Sequence, residues 1–135
     1  MKVTSYLYFD GRCEEAIAFY QKALGAQVLM MMRFKDSPEP HPPGTVAPGN
    51  EGKIMHATIR IGESEVHASD GECSGRKKFD GFGLALNVDD AAAADKFFAA
   101  LADGGTILMK LQKTFFAAAF GMVTDRFGVP WLIIA

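Results

Sequence analysis

The stretch KIMHATIRIGESEVHAS (53–69) gathers two imidazoles, a guanidinium and several side-chain oxygens into 17 residues. His56, Thr58 and Arg60 alternate with Met55, Ala57, Ile59 and Ile61. Beyond Gly62-Glu63, Glu65, His67 and Ser69 alternate with Val66 and Ala68. Period-two alternation on both sides of a two-residue turn predicts a β-hairpin. Paired through that turn, the polar residues share one face of the sheet. The apolar set should pack under a helix, which sends His56, Arg60, Glu65 and His67 toward an enclosed space. An arginine with one or two histidines there would suit a carboxylate, phosphate or phosphonate. Two plainer readings stay open. One is a solvated outer face with an Arg60–Glu65 cross-strand pair, and the other is a subunit interface. His56 and His67 as a metal pair would make half a site without a third ligand.

The elements that must position these residues follow from pattern. VTSYLYF (3–9) reads as a strand stopped by Asp10-Gly11, and CEEAIAFYQKAL (13–24) as a helix with Gly25 at its stop. QVLMMMRF (27–34) is a second strand, and residues 35–52, with five of the six prolines, form a loop that could be a lid or a dimer contact. After the polar, glycine-rich stretch 71–81 the pattern restarts. FGLALNV (82–88) is a strand, AAAADKFFAALA (91–102) a helix, and 106–113, 116–125 and 129–135 are strands. Asp10, Asp89 and Asp90 are expected to cap the helices. His41 reads as an exposed loop residue, and the RKK run at 76–78 as solvated linker charge.

A shift of 79 residues aligns 7–30 with 86–109 without a gap. Seven pairs are identical, among them Asp10/Asp89, Phe19/Phe98, Gly25/Gly104 and Leu29/Leu108. The expected fold is therefore α+β. A βαβββ module spans 1–70, a linker 71–81 and a second module 82–135, forming one domain of two curved sheets around a cavity.

Composition bounds the rest. With 135 residues, 49% of them hydrophobic, and a net charge of −2, the chain reads as a soluble globule with no basic field for nucleic acid or an anionic membrane. No apolar run approaches the roughly 20 residues needed to span a bilayer. Two cysteines without framework spacing suggest a reducing cytoplasm, with Cys13 a half-buried, inert thiol near a helix start.

The tandem βαβββ order, the segment YLYFDGRCEEAIAFYQKALG and the late DRFGVPW resemble the glyoxalase/bleomycin-resistance/dioxygenase (vicinal oxygen chelate) superfamily. KIMHATIRIG, LALNVDD and FGMVTDRFGVPW are similar to its PhnB-like branch, so the likeness covers nearly the whole chain. The resemblance implies a divalent metal held by His, Gln or Glu from the first strand and a later strand of each half. Mapped here, those positions fall at Ser5 (or Thr4), at Gly83 or Leu84, and at Leu132 with Ile133 one off. At least three of the four lack a usable donor. No cofactor and no metal are expected.

In the second half, Phe115, Phe116, Phe120, Met122, Trp131, Leu132 and Ile134 would make an apolar side to the cavity, with core packing as the alternative for each. The expected function is binding of an unidentified small molecule by a homodimer without the superfamily's metal. The alternative is a lyase- or dioxygenase-type enzyme using His56 or His67 with a relocated metal, or as acid/base. The methyltransferase label carried by some PhnB-like domains finds no glycine-rich nucleotide loop here.

Overall fold

A computed structural model describes residues 1–39, 46–75 and 78–135, so His41 lies outside the described residues, as do Arg76 and Lys77 of the basic run. The chain divides into two compact units, Met1–Lys77 and Lys78–Ala135. The first contains β1 (Ser5–Tyr8), α1 (Cys13–Leu24), β2 (Gln27–Arg33), β3 (Ile54–Ile61) and β4 (Ser64–Ser69). The second contains β5 (Leu84–Asn87), α2 (Ala91–Ala102), β6 (Thr106–Gln112), β7 (Phe120–Thr124) and β8 (Pro130–Ile134). Shifted by 79 residues, the ends of β1 and β2 coincide with those of β5 and β6.

Each unit is a four-stranded mixed sheet, in the orders β1-β4-β3-β2 and β5-β8-β7-β6. The first strand of each unit lies parallel to the last, and the other pairs are antiparallel. Each helix covers one face of its own sheet. In the first unit Ala16, Ile17, Tyr20 and Leu24 of α1 are buried together with Leu7, Ala57, Ile59, Val66 and Ala68 of the strands. In the second, Ala94, Phe98 and Leu101 of α2 bury against Val123, Trp131 and Ile133. The helix ends follow the glycine stops. Gly25 takes a left-handed φ of 69°, its N–H bonds the Gln21 carbonyl and that of Ala26 bonds Tyr20. A side chain with Cβ would resist that conformation. Among the described residues no helix is long and apolar enough to cross a membrane.

Several local expectations are corrected. The strand expected over 116–125 starts at Phe120, because the Thr114 hydroxyl accepts from the N–H groups of Phe116 (3.4 Å) and Ala117 (3.1 Å) and turns the chain. Residues 118 and 119 instead pair with Ala135. Phe34 leaves β2 to start a 3-10 turn, Phe34–Asp36, and is buried. Of the three expected caps, Asp90 holds: its Oδ1 accepts from Ala93 N–H at 2.8 Å. Asp10 does not. It occupies a left-handed turn, φ 55°, and its Oδ1 is buried without a donor among the described residues.

The start of α1 is capped instead by Asp70, from just beyond β4. Its Oδ1 accepts from the N–H groups of Gly11 and Cys13 and its Oδ2 from that of Ile54, each at 2.8 Å. The side chain is almost wholly buried. A carboxylate taking three backbone N–H bonds in a dry site is a strong, cooperative contact. Cys13, the first residue of α1, is fully buried rather than half-buried, and burial pushes its thiol far above the usual range, with Asp70 and Glu14 adding to the shift. In the second unit Asp125 plays the matching part. It accepts from Phe127 and Val129 N–H and, at 2.9 Å, from the Trp131 indole.

Asp70→Asn is expected to cost about 2–4 kcal/mol, because an amide nitrogen would face N–H donors in a buried site. Asp90→Ala, which removes one exposed cap, should cost about 1 kcal/mol. Thermal unfolding of the two variants measures the difference. Equal losses would show that Asp70 is no more than an ordinary cap.

Candidate functional site

The face of the first sheet turned away from α1 collects the expected polar set. Thr58 lies opposite His67 and Arg60 opposite Glu65, so the hairpin register is the one that the alternation predicts. His56, Arg60, Glu65 and His67 share this face, while Ala57, Ile59, Val66 and Ala68 are buried on the helix side. The imidazoles of His56 and His67 meet edge to face, centroids 5.1 Å apart.

β1 adds residues that the sequence reading passed over. Tyr6 pairs with His67 and Tyr8 with Ser69, so both phenols stand on the same face. Ser5 pairs with Val66 and therefore points to the helix side. Of the two first-strand positions that the resemblance implies, Ser5 therefore does not share the face of His67, and within β1 it is Tyr6 that does. The signal was present in the strand's own alternation, with Leu7 and Phe9 buried and Tyr6 and Tyr8 about 40% and 45% exposed.

The Tyr6 hydroxyl lies 2.8 Å from His56 Nδ1, and His56 Nε2 lies 3.4 Å from Thr58 Oγ1. Two donor–acceptor assignments satisfy this chain, either phenol to imidazole to hydroxyl or the reverse. Burial, followed by the neighbouring His67, lowers the His56 pKa below the ordinary histidine value. Burial likewise raises that of Tyr6. The pair therefore rests as a protonated phenol beside a neutral imidazole, which can pass a proton in either direction.

The charges on this face are unevenly matched. Glu65 is bonded at 3.1 Å by Lys2 rather than by its cross-strand neighbour Arg60. Among the described residues no carboxylate lies within ion-pair distance of Arg60. The Arg60–Glu65 pair of the plainer reading is thus replaced, and an exposed guanidinium is left on the face that carries the histidines.

A concavity of about 280 Å³ lies at the start of α1, lined among others by Gly11, Glu14, Arg33, Lys53 and Asp70. Its cations are already engaged. Lys53 Nζ donates to the Gly11 carbonyl at 2.9 Å, and Arg33 binds Glu14 and, at 2.8 Å, the Gly52 carbonyl. These bonds tie the cleft's walls together and leave it less suited to a ligand than the face with Arg60.

The second sheet's helix-free face is apolar. Leu132 stands between Ala85 and Met122, and Ile134 between Asn87 and Phe120. Trp131 does not belong to this set. It is 4% exposed on the α2 side with its indole bonded to Asp125, so the expectation that it lines a ligand face gives way to core packing. Phe116 lies in the loop before β7, more than half exposed and 5.1 Å from the Phe120 ring. At the positions where the resemblance implies second-half metal ligands, Gly83, Leu84 and Leu132 offer only carbon and backbone. Among the described residues no cluster of three or more His, Cys, Asp or Glu is placed to hold a metal ion.

Comparison with known proteins agrees with this architecture. The family model for 3-demethylubiquinone-9 3-methyltransferase matches residues 1–134. Protein YjdN of Escherichia coli is 41% identical, covering 98% of this chain and 94% of its own. The crystal structure of protein PA1353 from Pseudomonas aeruginosa is 41% identical with a TM-score of 0.86, covering 99% of this chain and 96% of its own. A PhnB protein from Bacillus cereus is 29% identical with a TM-score of 0.81, covering 99% and 98%. A glyoxalase/bleomycin resistance protein/dioxygenase superfamily member from Sphaerobacter thermophilus shares the fold at 16% identity, TM-score 0.62, covering 99% and 97%. The two mixed βαβββ sheets and a family match from end to end lead to one conclusion: the chain belongs to the PhnB-like, 3-demethylubiquinone-9 3-methyltransferase-like family, and its fold is that of the glyoxalase/bleomycin-resistance/dioxygenase superfamily.

Proposed function

We propose that this protein binds a small anionic molecule on the helix-free face of its first sheet, without the superfamily's metal, as a cytoplasmic homodimer. The observation that carries the reading is Arg60, an exposed guanidinium on the same sheet face as His56 and His67, whose cross-strand carboxylate is taken by Lys2. A planar guanidinium suits a carboxylate, phosphate or phosphonate, which it can bind through two N–H groups at once. Metal-independent binding is supported by the donor set, since the second-half positions offer no oxygen, nitrogen or sulfur side chain. Free thiols at Cys13 and Cys73 suit a reducing compartment. The dimer is supported by β2, an edge strand on which Val28, Leu29, Met30 and Met31 are all exposed.

Methyl transfer is not part of this reading. In the turn after β1 the Gly11 and Cys13 N–H groups already serve the Asp70 carboxylate, so they are not free to cradle a nucleotide-type donor. The Tyr6–His56 contact favours one alternative, acid/base catalysis, in which neutral His56 accepts a proton from a bound substrate while Tyr6 steadies the imidazole.

Titration with methylphosphonate and acetate, followed by the amide signals of β3 and β4, tests the anion site. Arg60→Ala should weaken both by about tenfold or more, and Glu65→Gln should not weaken them; an unchanged Arg60→Ala affinity excludes the site. Because the His56 pKa is lower folded than unfolded, its contribution to stability is complete above the ordinary histidine value of about 6.5 and is lost as pH falls below it. Between pH 7.5 and 5.5 the melting temperature should therefore fall more steeply for the wild type than for His56→Gln. Parallel curves would mean that His56 titrates normally. Light scattering should give twice the 14.6 kDa chain mass, and Leu29→Lys should shift the protein toward monomer.

A further inference from the structure

The face that bears Arg60 presents more aromatic surface than an anion alone would use. Tyr6 and Tyr8 are stacked, with centroids 5.0 Å apart and planes at 28°. Tyr6 continues to His56 at 5.5 Å and meets His67 edge-on at 5.8 Å, and the two imidazoles meet at 5.1 Å. Four rings from β1, β3 and β4 thus form one contiguous aromatic cluster, in which Tyr6 and Tyr8 are near parallel and His67 stands edge-on to Tyr6. Its members are held in place before any ligand arrives. The Tyr6 hydroxyl is tied to His56, and the Tyr8 ring lies over Gly71, where a Cβ would come within 3.0 Å of it. Yet the two tyrosines keep 40% and 45% of their surface exposed. Fixed, exposed rings bind flat apolar groups at small entropic cost.

The charge on this face selects among flat ligands. A cation over the tyrosines would need a spare carboxylate, but Glu65 is occupied by Lys2 and Arg60 would repel it. Arg60 faces Glu65, which is two residues along β4 from His67, and Tyr6 is the β1 partner of His67. Arg60 is therefore two residues (roughly 7 Å) along and two strands (roughly 10 Å) across from Tyr6, a gap that an extended arginine side chain and a fused-ring acid span together. We propose, building on the anion-site reading, that the ligand is a planar aromatic acid, its ring on the Tyr6–Tyr8–His67 platform and its carboxylate on Arg60. Tyr6 and Tyr8 are then binding residues, which neither the hairpin pattern nor the family match assigns.

The test compares 2-naphthoate with its fully saturated decahydro analogue by calorimetric titration of the intact protein. These acids share charge and outline and differ in planarity and π-surface. Wild type should bind 2-naphthoate about five- to tenfold more tightly. Tyr8→Leu and, separately, Tyr6→Leu should bring that ratio close to one while acetate binding is kept, and Arg60→Ala should weaken both acids alike. Tyr8→Leu serves as the independent variant should loss of the Tyr6–His56 bond disturb the sheet. If wild type binds both acids equally, and Arg60→Ala weakens both, the aromatic proposal fails and the anion site stands. If neither acid nor acetate binds, the anion site fails and takes the proposal with it. A ratio that survives both tyrosine substitutions also overturns the platform.

Discussion

The buried carboxylate of Asp70 is the constraint on which the first unit depends. Its three backbone bonds reach the turn after β1, the first residue of α1 and the first residue of β3, while its own N–H bonds the Ile54 carbonyl. β1, β3 and β4 are the strands that carry Tyr6, His56 and His67. A ring platform built from three strands is only as exact as their mutual register. Here one charged group, removed from water, fixes that register at the end where the strands meet the helix. A neutral replacement could fill the same volume but could not satisfy three donors, and unsatisfied buried N–H groups are costly.

The second unit solves the same packing problem with different chemistry. Asp125 lies between β7 and β8 and holds that turn together with the Trp131 indole, which draws the largest aromatic of the unit into the core. Its helix-free face is left with Leu132, Ile134, Met122 and Phe120. The two halves of the repeat have thus kept one backbone plan and diverged in their exposed faces, polar and aromatic in the first and largely apolar in the second. Divergence of this kind is inexpensive, because residues on the helix-free face do not pack against the helix that each module needs for its core.

Local order was largely legible in the chain. Both helices begin and end where composition and apolar spacing place them, α1 at its glycine stop, and the hairpin register follows from a two-residue turn between alternating segments. These signals act over a few residues. What was not legible depends on contacts distant in sequence. Asp70 caps a helix that starts 57 residues earlier, a place where Asp10 looked the natural candidate. Lys2 reaches Glu65 across 63 residues and breaks the cross-strand pair suggested by adjacency. The side on which Trp131 falls depends on how the chain turns through Gly128 and Val129, where a parity count carried from the preceding strand loses its phase.

Parity also decides how the superfamily's chemistry is to be read here. With Ser5 turned to the helix side, the first-strand position on the helix-free face is a phenol, and the matching β4 position is an imidazole, so the first half offers two donors at Tyr6 and His67. The second half offers carbon at Leu132 and its β5 partner Ala85. Donors of these two kinds can bind a ligand's charged edge or move its proton. The Tyr6 phenol is moreover kept protonated by burial, which makes it a hydrogen-bond donor rather than an anionic ligand. On the reading proposed above, these groups orient a flat, negatively charged molecule by hydrogen bonds and ring contacts.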